Sequence, residues 1–223
     1  MKYFFFFYLF LSVTFHSNSQ KKYVFDYILE YDFKSNKDMK VRKIFFLTNS
    51  QDDSYECEIT EEDESNYNMY FISKEGFTSN SIIDKNEFLK AESISLLCSS
   101  VIKQKSKAIN FTQFKYTILS DTIISGNSYA RYSMQFLNNR KYKKFDKGVA
   151  QCIVESNTKF YKPTSLISRA FDIRVNIENV PLGIAKEVLF KSYNARDFDY
   201  KYTLKQFVKI KKYIIIPEQC VDK

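Results

Sequence analysis

The residues best suited to chemistry in this chain are carboxylates. In YVFDYILEYDF, residues 23–33, Asp26, Glu30 and Asp32 fall at even positions; in FDIRVNIE, residues 171–178, so do Asp172 and Glu178. Two acids held at a fixed separation are what a glycan hydrolase uses, one as proton donor and one as nucleophile or base. Acids on one strand face are also what solubility alone requires of a half-buried sheet. The other reactive groups are scarcer. The only histidine is His16, in FHSNSQ at residues 15–20. It lies in a segment expected to be removed, so a Ser-His or Cys-His nucleophile system has no base. Zinc centres lose their usual ligand in the same step. The four glycines do not cluster, so no loop can cradle a phosphate. The acidic run EITEEDES, residues 58–65, lacks the alternating acids and central glycine of a calcium loop and reads as a charged turn. No metal and no cofactor is expected.

The first residues explain why His16 is discounted. Lys2 gives a positive start, and Tyr3–Val13 is an apolar run of eleven residues. A spanning helix needs ~20 apolar residues, whereas the core of a secretory signal peptide needs only ~7–15. Ser17 and Ser19 then place small residues where signal peptidase requires them. The expected boundaries are a signal peptide at 1–19 and one exported domain at 20–223, secreted or periplasmic, with no membrane span after cleavage. The formal net charge is +8, concentrated in RKYKKFDK (140–147) and in KYTLKQFVKIKK (201–212). Basic residues interleaved with aromatics can bind nucleic acid, but an exported protein meets little of it, so both clusters read as solvated faces and no nucleic-acid partner is expected. Cys57, Cys98, Cys152 and Cys220 are widely spaced, without a C-x-x-C pair. In an exported chain they permit two disulfides in any of three connectivities, or remain as buried thiols.

The elements that position these groups read as strands. Tyr23, Phe25, Tyr27, Leu29, Tyr31 and Phe33 occupy the odd positions of the first segment, opposite the acids. A period of two marks a strand with one buried face. That face is the packed core or the lining of a concave ligand site, which makes Tyr23, Phe25, Tyr27, Tyr31 and Phe33 the candidate binding residues; Asp26 belongs to the solvent side. The period recurs at Tyr55–Ile59, Tyr67–Phe71, Phe114–Ile118, Ala130–Phe136 and Phe171–Ile177. GVAQCIVE (148–155) is apolar on both faces, as a central strand should be. IAKEVLFKSY and YKYTLKQFVKIKK form a last long pair. Asp84, three residues before Glu87, gives a capping-box spacing and predicts a short helix over 84–92. The fold class is mainly β: a single antiparallel sheet of about nine to eleven strands, curled as a half-barrel or sandwich-like.

Two segments carry a resemblance. DTIISGNSYARYSMQFLNNRKYKKFDKGVAQCIV (121–154) and NVPLGIAKEV (179–188) resemble parts of exported bacterial proteins of the GLPGLI type, with Val180-Pro181 standing before Leu182-Gly183-Ile184 in place of the full signature. The strand order is similar to LolA-like half-barrels. That resemblance implies a curled sheet holding a lipid or peptide against its concave face, and it transfers no functional residue. The expected function is therefore an exported, non-enzymatic β protein binding an apolar or envelope-associated ligand (a lipid, a peptide or another envelope component). A carboxylate-based hydrolase acting on glycans is the alternative.

Overall fold

The computed structural model describes residues 20–38, 40–103, 114–136, 148–158, 181–192 and 195–221. The leader at 1–19, the basic run at 140–147 and the alternating stretch at 171–177 lie outside them.

Among the described residues twelve strands form one open sheet. They are β1 (Lys21–Ser35), β2 (Val41–Thr48), β3 (Tyr55–Glu61), β4 (Asn66–Ser73), β5 (Phe77–Asp84), β6 (Ser93–Ser95), β7 (Val101–Lys103), β8 (Phe114–Ile124), β9 (Asn127–Phe136), β10 (Val149–Val154), β11 (Ala185–Lys191) and β12 (Tyr200–Ile216). The order across the sheet is β7-β5-β4-β3-β2-β1-β12-β11-β10-β9-β8, with β6 beside β12. All pairings are antiparallel except β6 with β12. This is the single, essentially antiparallel sheet expected from the alternation, with the short parallel β6 taking the count to one above the expected nine to eleven.

Local chemistry sets the connections. Asp63 closes the β3–β4 turn by accepting from the backbone N–H groups of Ser65 and Asn66, both at 2.8 Å. The acidic run thus ends β3 with Glu58–Glu61 and makes the hairpin turn at residues 62–65. Ser125 and Gly126 both have positive φ, 52° and 82°, in the two-residue turn joining β8 to β9. Such a turn matches the right-handed twist of the flanking strands. The one α-helix among the described residues, α1 (Lys85–Lys90), begins where the capping box places it. The Asp84 side chain accepts from Asn86 N and Glu87 N at 2.8 and 3.0 Å.

The core divides in two, and β2 shows how. Ile44 and Phe46 join one cluster with Leu29, Tyr31, Tyr132, Met134, Cys152 and Val188. Phe45 and Leu47 join the other with Tyr23, Phe25, Cys57, Ile59, Phe71 and Phe88. Neighbouring residues of a strand point to opposite faces, so at β2 the sheet is packed on both sides. The odd row of β1 is divided as well, with Tyr23 and Phe25 in the second cluster and Leu29 and Tyr31 in the first. The division falls where the β1–β12 register shifts, between Phe25 and Tyr27. Phe25 faces Lys212 and Tyr27 faces Lys209, so three residues of β12 span two of β1. A bulge of this kind bends the strand and increases its twist, and one period-two row thereby serves two cores.

Candidate functional site

β1 and β12 are the longest strands and pair along their whole lengths. Their aromatic residues build the candidate site. Tyr23, Phe25 and Tyr31 are buried, whereas Tyr27 and Phe33 are only partly covered. Burial pushes the Tyr23 hydroxyl up to about 12 against the pull of neighbouring Ser73. The Tyr31 hydroxyl donates to the Ala185 carbonyl at 2.6 Å, which ties β1 to the start of β11. These three rings are packed inside the two core clusters. The accessible part of the row is Tyr27 and Phe33.

β12 completes the surface with aromatics that the alternation of β1 does not reveal. Phe33 packs on Tyr202 and Tyr200, with centroids 4.9 and 5.9 Å apart. Tyr200 stacks on Phe190 of β11 at 4.6 Å. Tyr27 meets Phe207 at 6.3 Å. Tyr200, Tyr202 and Leu204 are half-buried and pack against the first core cluster. A band of partly covered rings therefore runs along β1 and β12 and continues into the core. The signal was present in YKYTLKQF, but the lysines between the aromatics drew it into the basic cluster.

The acids of β1 are engaged in holding structure. Asp26 accepts from Ser50 N at 2.8 Å and from Ser50 Oγ at 2.6 Å, so it anchors the loop after β2 and does not simply face solvent. Glu30 is held below the usual carboxylate range by its hydrogen bond from Gln206 and then by Lys43 at 3.0 Å. Asp32 pairs with Lys205 at 3.4 Å. Asp172 and Glu178 lie outside the described residues. Among the described residues no three His, Cys, Asp or Glu side chains gather as a metal site. No described helix is long and apolar enough to cross a membrane.

The basic cluster of β12 is also subdivided. Lys205, Lys209 and Lys211 are exposed, as a solvated face requires. Lys212 is 8% exposed, and its Nζ donates to the carbonyls of Phe88 and Ala91 at the end of α1. Reading the whole run as solvated therefore fails at Lys212, which Phe25 faces across the bulge. Of the four cysteines, Cys98 and Cys220 form a disulfide. Cys57 and Cys152 are buried thiols on separate clusters, so the second bridge does not form. Burial pushes the Cys152 thiol up to about 12, far from the thiolate that reactivity needs.

No family model and no curated protein matches the chain, so no sequence match accompanies the GLPGLI resemblance. Solved structures align over most of its length. The Pseudomonas aeruginosa MucA/MucB complex aligns at 6% identity with a TM-score of 0.43, covering 86% of this chain and 53% of that one. MucB in complex with MucA(peri) gives 4% and 0.40, covering 84% and 51%. A Vibrio parahaemolyticus domain described as an outer membrane lipoprotein-sorting protein gives 8% and 0.33, covering 82% and 85%. This chain thus spans about half the length of the chains in the MucA/MucB structures.

Proposed function

We infer that this is an exported β protein that binds rather than catalyses, and that its ligand lies on the aromatic band of β1 and β12. The observation that carries this is the partial cover of Tyr27, Phe33, Tyr200, Tyr202 and Leu204 in a surface continuous with the core. Tyrosine suits a surface that is apolar at one end and wet at the other. The ligand class it fits is an apolar chain of the cell envelope, a lipid or an apolar peptide. Residues 1–19 are the export signal, and 20–223 are the exported domain. The Cys98–Cys220 disulfide supports an oxidising compartment. The hydrolase reading is the weaker one, because Asp26, Glu30 and Asp32 are each tied into hydrogen bonds or ion pairs, and Glu30, held below the usual carboxylate range, is unsuited to donate a proton.

The test is titration of the full exported chain with an environment-sensitive fatty-acyl fluorophore. Saturable uptake is expected, weakened about tenfold by Phe33→Ala or Tyr202→Ala, since each removes roughly one ring's worth of contact area. Uptake that is absent, or indifferent to both changes in variants that keep their β circular dichroism, overturns the reading. Mass spectrometry of what co-purifies with the native protein then names the ligand.

A further inference from the structure

Gln20 immediately precedes β1, and the register shows why the strand starts one residue later. Lys21 pairs with Ile216, so the next pair outward would set Gln20 against Pro217. Proline has no N–H to give to a ladder, and at Pro217 the chain turns into a short 3-10 segment, Glu218–Cys220. β2 pairs with β1 further along, over Tyr27–Lys34. Gln20 is exposed, whereas the residues after it are anchored. Lys21 Nζ donates to Glu75 Oε2 at 2.6 Å, and Lys22 Nζ lies 3.8 Å from the centre of the Tyr213 ring. Tyr23, next in line, is packed in the second core cluster.

We propose that Gln20 is a modification site, at which the mature chain closes its own N-terminus into a pyroglutamyl lactam. This rests on the export reading, in which cleavage after Ser19 frees the α-amine of Gln20. The amine nitrogen attacks Cδ of the Gln20 side chain. A C–N bond forms to the α-nitrogen, the bond from Cδ to the side-chain nitrogen breaks, and ammonia leaves with a proton from the amine. Nothing is oxidised or reduced, and no co-reactant is consumed. An α-amine has an ordinary pKa of about 8, so a share of it is uncharged and nucleophilic at neutral pH. Closing the ring bends the residue out of the extended form that a ladder imposes. A residue beyond the last rung can make that change without breaking a pair.

The lactam has two consequences at this place in the fold. It removes an α-ammonium that would stand beside the Lys21 and Lys22 ammonium groups, and like charges so close repel. It also closes the chain to aminopeptidases. That matters here because trimming past Lys22 would reach Tyr23 and Phe25, both buried.

The experiment uses the full chain, exported with its leader by a bacterial host and recovered from the periplasm or medium. Free amines of the intact protein are capped in denaturant by reductive dimethylation, before any digestion, and the N-terminal peptide is read by mass spectrometry. The expected peptide begins at residue 20, is lighter than its sequence by one ammonia, and carries no label on its α-nitrogen. Gln20→Ala has no side-chain amide, so its terminus should take the label and be trimmed by added aminopeptidase, which the parent resists. A peptide that begins at Gln20 with a labelled α-amine overturns the proposal and leaves the export reading standing. A peptide that begins elsewhere, or an unprocessed chain, overturns both. If Gln20→Ala is not exported, the label on the parent decides alone.

Discussion

The last residues of β12 and its middle obey opposite rules within one continuous strand. At Tyr213–Ile216 the strand lies between β1 and β6, and Ile214 and Ile216 are fully buried. Lys212 caps α1 just before this stretch, and the Cys98–Cys220 disulfide pins the chain just after it. At Lys205–Lys209 the strand pairs, among the described residues, with β1 alone, and these side chains are exposed. Place in the sheet order therefore does not decide burial. Cover does: Lys212 is buried beneath α1, whereas Lys205–Lys209 are exposed.

The contrast can be broken most severely at the pinned end. Cys98 and Cys220 are 122 residues apart, so replacing both by serine should cost on the order of 4–5 kcal/mol on a loop-closure account. The loss should appear in chemical denaturation and be matched by reduction of the wild type. A loss below about 1 kcal/mol would mean that strand pairing alone secures this end.

Next comes a pair of phenylalanines on the two sides of the comparison. Phe25 is completely buried, and Phe25→Ala should cost about 3–5 kcal/mol through the cavity left behind. Phe207→Ala, in the open stretch, should stay within about 1 kcal/mol. Similar losses from the two would erase the distinction.

Asp26 lies beside the register shift that separates the two cores. Its two hydrogen bonds from Ser50 make Asp26→Ala cost about 1–3 kcal/mol, because a buried donor loses a charged acceptor. A neutral result would return Asp26 to the solvent face, where the alternation alone had placed it.

The smallest expected effect is a pH slope at Lys212. Burial pulls its ammonium below the ordinary value of 10.5. The folded protein therefore releases this proton before the unfolded chain does. Stability should rise with pH between the lowered pKa and 10.5, and rest at its lower level below that interval. Lys212→Met should abolish the rise in denaturant midpoint, and an identical slope in both proteins would assign it elsewhere.

What was legible in the sequence was local. The alternation at Tyr23–Phe33, the Asp84 cap, the Ser125–Ser128 turn and the acidic hairpin each depend on neighbours a few residues away, and each appears where its spacing places it. Pairing across long separations was not legible. No spacing rule joins Cys98 to Cys220 in preference to Cys57 or Cys152. The split of the β1 row follows from an extra residue in β12, more than 170 positions later. Lys212 looks like Lys211 until α1 is laid over it. The aromatic band was half legible, because β1 announced its rings and β12 mixed its own with lysines.

Amide hydrogen exchange along β12 tests the contrast most directly. The account predicts slow exchange at Tyr213–Ile216 and at Tyr200–Thr203. Between Leu204 and Lys212 it predicts slow exchange only at amides bonded to β1, in a pattern interrupted at the two register shifts, and fast exchange at the others. Uniform protection from Leu204 to Lys212 would mean that another strand already occupies that edge, and would contradict it.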